Sequence, residues 1–144
     1  MNREIELERL VRFFETIGPD DLHAQLAQVY ALDAQFKDPF NEVRGVDEIR
    51  RIFEHMFDQV HEPRFVVTTR VLQGPQAFLT WDFLFRMKRF SSETQCIRGA
   101  THIVFDAQGK VAVHRDYWDA AEELYEKLPV VGSVMRWLKR AANR

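Results

Sequence analysis

The sequence has few residues that could fix a site by disulfide or metal chemistry. Its 144 residues include one cysteine, Cys96, which excludes an intrachain disulfide and a cysteine-based zinc site. The 20 Lys and Arg nearly balance the 22 Asp and Glu, leaving a net charge of −2. That balance offers no broad basic surface, so we expect no nucleic-acid partner.

Long apolar runs are also missing. A membrane-spanning helix needs about 18 or more consecutive apolar residues, and no stretch of the sequence reaches that length. Residues 1–10 are rich in charge and lack the apolar core of a signal peptide. We therefore expect a cytoplasmic protein, and we do not expect it to bind a membrane.

Aromatic residues are abundant: 12 Phe, three Trp and three Tyr. With 46% hydrophobic residues, the chain has enough apolar material for one compact domain over residues 1–144 with an aromatic-rich interior or cavity. Apolar residues recur at helical spacing in three segments of the first half, from Leu7 to Ile17, from Leu22 to Val29 and from Ile49 to Val60. This spacing predicts three N-terminal helices.

The pattern changes after Pro63. Four segments are rich in Val, Thr, Phe, Ile and Trp and are separated by short turn sequences, which predicts antiparallel strands: Arg64–Leu72, Ala77–Lys88, Thr94–Phe105 and Lys110–Trp118. Residues 120–144 are predicted to form a C-terminal helical extension, and we expect its apolar stripe to pack on the domain as a partial lid. The stripe consists of Val131, Val134, Met135 and Leu138. Helices followed by strands indicate the α+β class.

Three features resemble one known family. They are the segment Ala34–Pro39 followed by Gly45, the apolar helical stripe from Ile49 to Phe57, and the segment His114–Asp119. Together they resemble the nuclear transport factor 2-like superfamily, and most closely its SnoaL-like branch, which is related to ketosteroid isomerases and limonene-epoxide hydrolases. The resemblance implies a cone, in which a curved antiparallel sheet wraps around the three N-terminal helices, with a pocket at the open end. It also implies a homodimer formed through the sheet.

Asp38 is the first candidate catalytic residue. The resemblance maps the base of ketosteroid isomerases onto this Asp-Pro position, and a carboxylate in an apolar pocket suits proton abstraction next to a carbonyl. The alternative is that Asp38 only shapes a turn. Steroid isomerisation itself is disfavoured, because Phe13 and Phe14 stand where the oxyanion-binding tyrosine is expected, and the expected aspartate position falls near Thr101.

Epoxide hydrolysis is disfavoured for a similar reason. The resemblance leads us to expect an Arg and an Asp two residues apart on the second strand, and Trp81 and Phe83 occupy those positions. Asp116 could be one member of the catalytic set, but a water activated by this carboxylate alone, with no partner to polarise the epoxide, would be a weak catalyst.

The last predicted strand supplies two further catalytic candidates. The resemblance places His114, Asp116 and Trp118 on its inward face, where His114 and Asp116 could form a polar end to the cavity with Asp38. In the alternative interpretation, His114 and Asp116 satisfy each other in the core. The ligand-binding candidates share an apolar or inward-facing position and could equally be plain core residues: Trp81, Phe83, Trp118, Phe14, Phe53, Phe57 and Thr101.

These residues lead to two hypotheses. In the first, the chain binds a small apolar or semi-polar molecule in a cone cavity and acts as an isomerase or cyclase with Asp38 as base, without cofactor. In the second, it is a non-catalytic binding or accessory dimer that acts through protein–protein contacts. No set of histidines and carboxylates has metal-ligand spacing, so we expect no metal.

Overall fold

The computed structural model describes residues 3–88, 93–123, 137 and 140–142. The chain begins with helices α1 (Glu4–Glu15) and α2 (Leu22–Val29), which are followed by strands β1 (Tyr30–Lys37) and β2 (Glu42–Arg44). Helix α3 (Val46–Gln59) leads into four long strands. These are β3 (Val60–Gln73), β4 (Gln76–Met87), β5 (Thr94–Phe105) and β6 (Val111–Tyr117), and the short helix α4 (Ala120–Glu123) follows them.

The strands form one six-stranded sheet in the order β2-β1-β6-β5-β4-β3. The α+β class is confirmed. The predicted order of three helices followed by strands is wrong in one respect, because β1 and β2 lie between α2 and α3. The sheet is mixed rather than wholly antiparallel, because β1 pairs parallel with β6, placing Phe36 opposite His114. The long connection through α3 and β3–β5 permits this parallel pairing, which a short turn could not.

The first long strand begins earlier than the sequence predicts. Strand β3 starts at Val60, and Pro63 lies inside it. The register of β3 against β4 shifts between His61 and Arg64, and Glu62 has a φ of 52°. Proline lacks the N–H that a regular ladder needs, so it is accommodated where the pairing is interrupted.

The core lies between the helices and the inner face of the sheet. Alternate side chains of β4 point inward, as the sequence predicts, and all are buried: Ala77, Leu79, Trp81, Phe83 and Phe85. Helix α1 supplies Leu10, Phe13 and Phe14 from one face. The sheet and α1 thus build an aromatic-rich interior.

Helix α4 is tied to the edge of β5 where β6 has ended. The last paired residues of β5 and β6 are Ala100 and Tyr117, so the N–H of Arg98 lies beyond the ladder. That N–H and Nε of Arg98 each donate to Oε1 of Glu123 at 2.8 Å. Glu123 is 4% exposed, so its carboxylate substitutes for the missing strand partner.

The predicted C-terminal extension is described only in part. Residues 120–123, 137 and 140–142 are helical, whereas Val131, Val134, Met135 and Leu138 lie outside the described residues. The lid prediction therefore stays a prediction. Within the part of the chain that the structure describes, no helix is long and apolar enough to cross a membrane.

Candidate functional site

A cavity of about 430 Å³ lies between α3 and the inner face of the sheet. This volume is within the range of small-molecule sites. Six aromatic side chains form much of its wall: Phe36, Phe53, Phe65, Trp81, Phe83 and Trp118. Six polar side chains also line it: Asp38, Asn41, Glu48, Arg51, His55 and Asp116. The cavity is thus an aromatic chamber with a few polar groups.

A chain of hydrogen bonds lies at the inner end of this cavity. The Tyr30 hydroxyl is 2.7 Å from Nδ1 of His114, and Nε2 of His114 is 2.7 Å from Oδ1 of Asp116. The Thr101 hydroxyl donates to the same Oδ1 at 2.6 Å, and Nε1 of Trp81 donates to Thr101 at 2.7 Å. Five side chains from the four strands β1, β4, β5 and β6 therefore share one network.

The proton positions in this network follow from its donors. The Tyr30 phenol is buried, and burial raises its pKa well above the ordinary value of 10.0, with a further rise from the Asp116 charge. Nε2 of His114 faces Oδ1 of Asp116, an acceptor, and is therefore assigned the ring proton; Nδ1 is then the acceptor for the Tyr30 hydroxyl, which keeps its proton. The network therefore directs two donors, His114 and Thr101, at a single carboxylate oxygen.

Aromatic rings hold His114 in place. Its ring centroid lies 4.6 Å from that of Phe36, 5.5 Å from that of Phe14 and 5.9 Å from that of Tyr30, with the Tyr30 ring stacked. A small inner cavity of about 20 Å³ borders Phe14, Thr101, His114 and Asp116. Asp116 lines both this inner space and the large cavity, so it is the member of the network that connects the two. Trp81 also lines both spaces.

Asp38 lies on the cavity wall but also holds its own loop. Its Oδ1 accepts from the backbone N–H of Phe40 at 2.8 Å and of Asn41 at 2.7 Å. Its Oδ2 accepts from Nδ2 of Asn41 at 3.2 Å. The ring of Phe40 packs edge-on against Trp118, with centroids 5.6 Å apart. The turn-shaping interpretation of Asp38 therefore has direct geometric support, and Oδ2 remains the less occupied oxygen.

The structure separates the predicted site residues into three groups. Asp38, Asp116, Trp81, Phe83, Phe53 and Trp118 line the large cavity. Phe14, Thr101 and His114 lie at its inner end, around the small cavity. Phe57 lines neither and instead packs against the core as a partly buried residue.

Sequence reasoning missed Tyr30 and the polar groups that α3 contributes. Tyr30 is separated from His114 by 84 positions, and only the parallel pairing of β1 with β6 brings them together. Glu48, Arg51 and His55 follow a helical i, i+3, i+7 pattern beside the apolar stripe of α3, which is the signal that could have found them. Glu48 and Arg51 form an ion pair at the cavity. Among the described residues, no group of three His, Cys, Asp or Glu is arranged to hold a metal.

Comparisons with solved structures identify the fold. A protein from Catenulispora acidiphila with a ketosteroid isomerase-like fold, in complex with trimethylamine, gives a TM-score of 0.73 at 13% identity, covering 88% of this chain and 95% of that one. A nuclear transport factor 2-like protein of unknown function from Burkholderia pseudomallei gives 0.71 at 15% identity, covering 85% and 95%. A Shewanella denitrificans protein provisionally named a SnoaL-like polyketide cyclase gives 0.69 at 19% identity, covering 84% and 97%. At these identities the likeness establishes the fold and not the activity.

The family follows from the sequence. No curated protein matches this chain. Residues 10–114, from the second half of α1 to His114 in β6, match the model of the SnoaL-like domain. The match spans well over half of the sequence, and the chain belongs to the SnoaL-like domain family.

Proposed function

We propose that the chain binds a small, largely apolar molecule in the aromatic cavity and that Asp116 acts there as the base of an isomerase or cyclase reaction that needs no cofactor. The observation that carries this proposal is the asymmetry of the Asp116 carboxylate. Its Oδ1 accepts from both Thr101 and His114, while its Oδ2 accepts no hydrogen bond from the described residues. One oxygen is fixed by the protein and the other is available to a ligand.

The surroundings of Asp116 suit proton transfer. The side chain is 18% exposed, so it is shielded from bulk water yet borders the cavity. His114 and Thr101 hold the carboxylate in one orientation, and a fixed base at hydrogen-bond distance from an acidic C–H is what general base catalysis requires. Two structurally similar proteins support the same class of function. One is provisionally called a polyketide cyclase, and the other binds a small molecule, trimethylamine.

Asp38 is the rival base. It lines the same cavity, but its Oδ1 is occupied by two backbone N–H groups of its own loop. Oδ1 of Asp116 is occupied in the same way, but Oδ2 of Asp38 also accepts from Nδ2 of Asn41 at 3.2 Å, whereas Oδ2 of Asp116 accepts no hydrogen bond from the described residues. We therefore place Asp116 at the reacting atom and Asp38 nearer the cavity mouth.

A second candidate function, a binding protein without catalysis, is favoured by one observation. The described residues around the inner cavity offer no spare donor for a developing oxyanion, because the donors of Trp81, Thr101 and His114 are all used within the network. The loss of one oxyanion donor typically lowers an enzymatic rate by about 100-fold or more. Catalysis without an oxyanion donor is therefore most feasible for a substrate whose C–H is intrinsically acidic.

The ketone 2-tetralone can separate these functions, because it is aromatic, small and has an acidic CH₂ next to its carbonyl. In deuterated buffer, transfer of a C–H proton to Asp116 and return of a deuteron would appear in NMR spectra as loss of the CH₂ signal. We expect the CH₂ protons of 2-tetralone to exchange faster in the presence of the wild type than in buffer alone. With Asp116→Asn, the exchange rate should equal that in buffer. Retained exchange in Asp116→Asn together with loss in Asp38→Asn would make Asp38 the base.

Binding needs its own test, which a pair of α3 variants supplies. Met56 lines the cavity, whereas Glu54 on the same helix does not. Met56→Trp should fill the cavity and abolish calorimetric binding of 2-tetralone, while Glu54→Trp should leave it intact. Binding without accelerated exchange would favour the non-catalytic function, and failure of the wild type to bind would contradict both.

A further inference from the structure

The charges on the cavity wall indicate the class of ligand, on the basis of the proposed binding function. Three carboxylates, from Asp38, Glu48 and Asp116, line the cavity, and Arg51 is the one Lys or Arg among its described lining residues. Arg51 is paired with Glu48 through its guanidinium. Among the described residues, Asp38 and Asp116 therefore have no Lys or Arg partner at the cavity.

Other nearby cations are engaged elsewhere. Lys37 and Arg115 border the groove next to Asp38 and Asp116. Lys37 lies 3.5 Å from the Glu42 carboxylate, and the Arg115 guanidinium lies 4.6 Å from the centroid of the Tyr117 ring. Neither residue lines the large cavity, so they do not neutralise its wall.

The aromatic rings add to the same preference. The negative faces of Trp and Phe rings attract cations, and the attraction grows when the cation is removed from water. Trp118 and Trp81 both line the cavity, together with four Phe rings. An anionic ligand would meet these faces and the carboxylates unfavourably.

We propose that the ligand carries a positively charged nitrogen, as an ammonium or quaternary ammonium group, which lies between Asp38 and the ring of Trp118. Asp38 suits this role because it lines the large cavity and the outer groove but not the inner space, whereas Asp116 also borders the inner space. The apolar body of the ligand then extends inward to Asp116. Asp38 is a binding residue in this arrangement, and Asp116 faces the reacting end.

Three probes of similar size test the charge preference. Benzyltrimethylammonium is cationic, neopentylbenzene is its uncharged carbon isostere, and benzenesulfonate is anionic. Binding to the full-length protein can be followed by NMR shifts of the indole N–H signals. We expect the cation to bind about 3- to 30-fold more tightly than the isostere, the range of a desolvated cation–π contact, and the anion to bind most weakly.

Matched variants locate the preference. Asp38→Asn keeps a side-chain oxygen for the loop N–H groups but removes the charge. Asp33→Asn removes the same charge from an exposed position of β1 outside the cavity. In Asp38→Asn, the cation and its uncharged isostere should bind with nearly equal affinity. In Asp33→Asn, the cation should still bind more tightly than the isostere.

The outcomes separate this inference from the proposed function. Equal binding of the cation and the isostere, tighter binding of the anion, or equal behaviour of the two variants would overturn the charged-nitrogen inference. In each of those cases, binding of 2-tetralone would still support the cavity as a small-molecule site. If neither 2-tetralone nor any of the three probes binds, both the proposed function and this inference are contradicted.

Discussion

The hydroxyl of Tyr30 lies 2.7 Å from Nδ1 of His114 and connects the start of β1 to the middle of β6. Both residues are nearly inaccessible, Tyr30 at 2% exposure and His114 at 3%. The contact positions the imidazole whose other nitrogen holds Asp116. A tyrosine remote from the cavity wall thus supports the orientation of the proposed base.

Tyr30→Phe should destabilise the fold by about 1–3 kcal/mol, because it leaves Nδ1 of His114 buried without its donor. Urea unfolding followed by circular dichroism measures this change. Tyr117→Phe is the control, since Tyr117 is 48% exposed and should change the unfolding free energy little. Equal unfolding free energies for wild type and Tyr30→Phe would show that the hydroxyl contributes nothing.

Tyr30 also predicts a loss of stability in alkali. Its pKa in the folded protein is raised by burial and by the Asp116 charge, whereas the unfolded chain releases this proton near pH 10. The folded state binds the proton more tightly, so the stability due to Tyr30 is complete below pH 10 and declines as the pH rises above it. The stability difference between wild type and Tyr30→Phe should therefore shrink above pH 10. A constant difference from pH 8 to pH 11 would contradict the raised pKa.

The sequence predicted those parts of the site that depend on local alternation. Spacing puts Trp81 and Phe83 on one face of β4 and His114 and Asp116 on one face of β6, and the family resemblance predicts that this face of β6 points inward. The same alternation on β5 places His102 on the face opposite Thr101, where its ring stacks on that of Phe78. These predictions succeeded because a strand has a fixed period of two.

Predictions that depend on distant pairing were less successful. The parallel contact of β1 with β6 has no local signature, and the role of Tyr30 depends entirely on it. The sequence pattern predicts that the first long strand begins after Pro63, whereas in the structure Pro63 lies inside that strand, at an interruption of the β3–β4 register. Register and long-range pairing are set by the folded sheet as a whole, which a single sequence does not display.

Gly99 leaves room for the indole ring of Trp81 on the neighbouring strand. A Cβ at position 99 would lie 2.4 Å from Cη2 of Trp81. Gly99→Ala should therefore displace the ring, weaken its hydrogen bond to Thr101 and cost about 1–3 kcal/mol, as overpacking does. Gly18→Ala is the control because a Cβ there meets nothing within 4 Å. Thermal unfolding measures both changes, and equal melting temperatures for the two variants would refute the packing argument.

Glu123 and Glu122 contact the same arginine with different consequences. The Glu123 side chain is 6% exposed and accepts three hydrogen bonds from Arg98, whereas that of Glu122 is 44% exposed and accepts one. Glu123→Ala should cost about 1–3 kcal/mol because a backbone N–H of β5 loses its acceptor. Glu122→Ala should cost about 0–1 kcal/mol, as exposed ion pairs do. Urea unfolding of the two variants measures both losses of unfolding free energy. Equal losses would contradict the role of Glu123 as the acceptor for the β5 backbone.

Two exposed apolar residues, Val71 and Phe78, lie side by side on the outer face of the sheet. Val71 pairs with Phe78, Phe78 with His102, and His102 with Arg115, so these four residues form one row across β3–β6. Val71 is 56% exposed and Phe78 is 51% exposed. Exposed apolar side chains that adjoin on a sheet face are typical of a surface that another molecule covers.

We propose that a second copy of the chain covers this row, since a sheet face that pairs with itself closes into a two-fold dimer. Phe78→Asp should then shift the sedimentation mass from two chains towards one at micromolar concentration, because the pairing would bury two like charges near the symmetry axis. Ile5→Asp is the matched control: Ile5 is 82% exposed on α1, away from the sheet, and its substitution should leave the mass unchanged. If the wild type itself sediments as one chain, the face has another role. If Phe78→Asp remains dimeric, the copies meet elsewhere on the molecule.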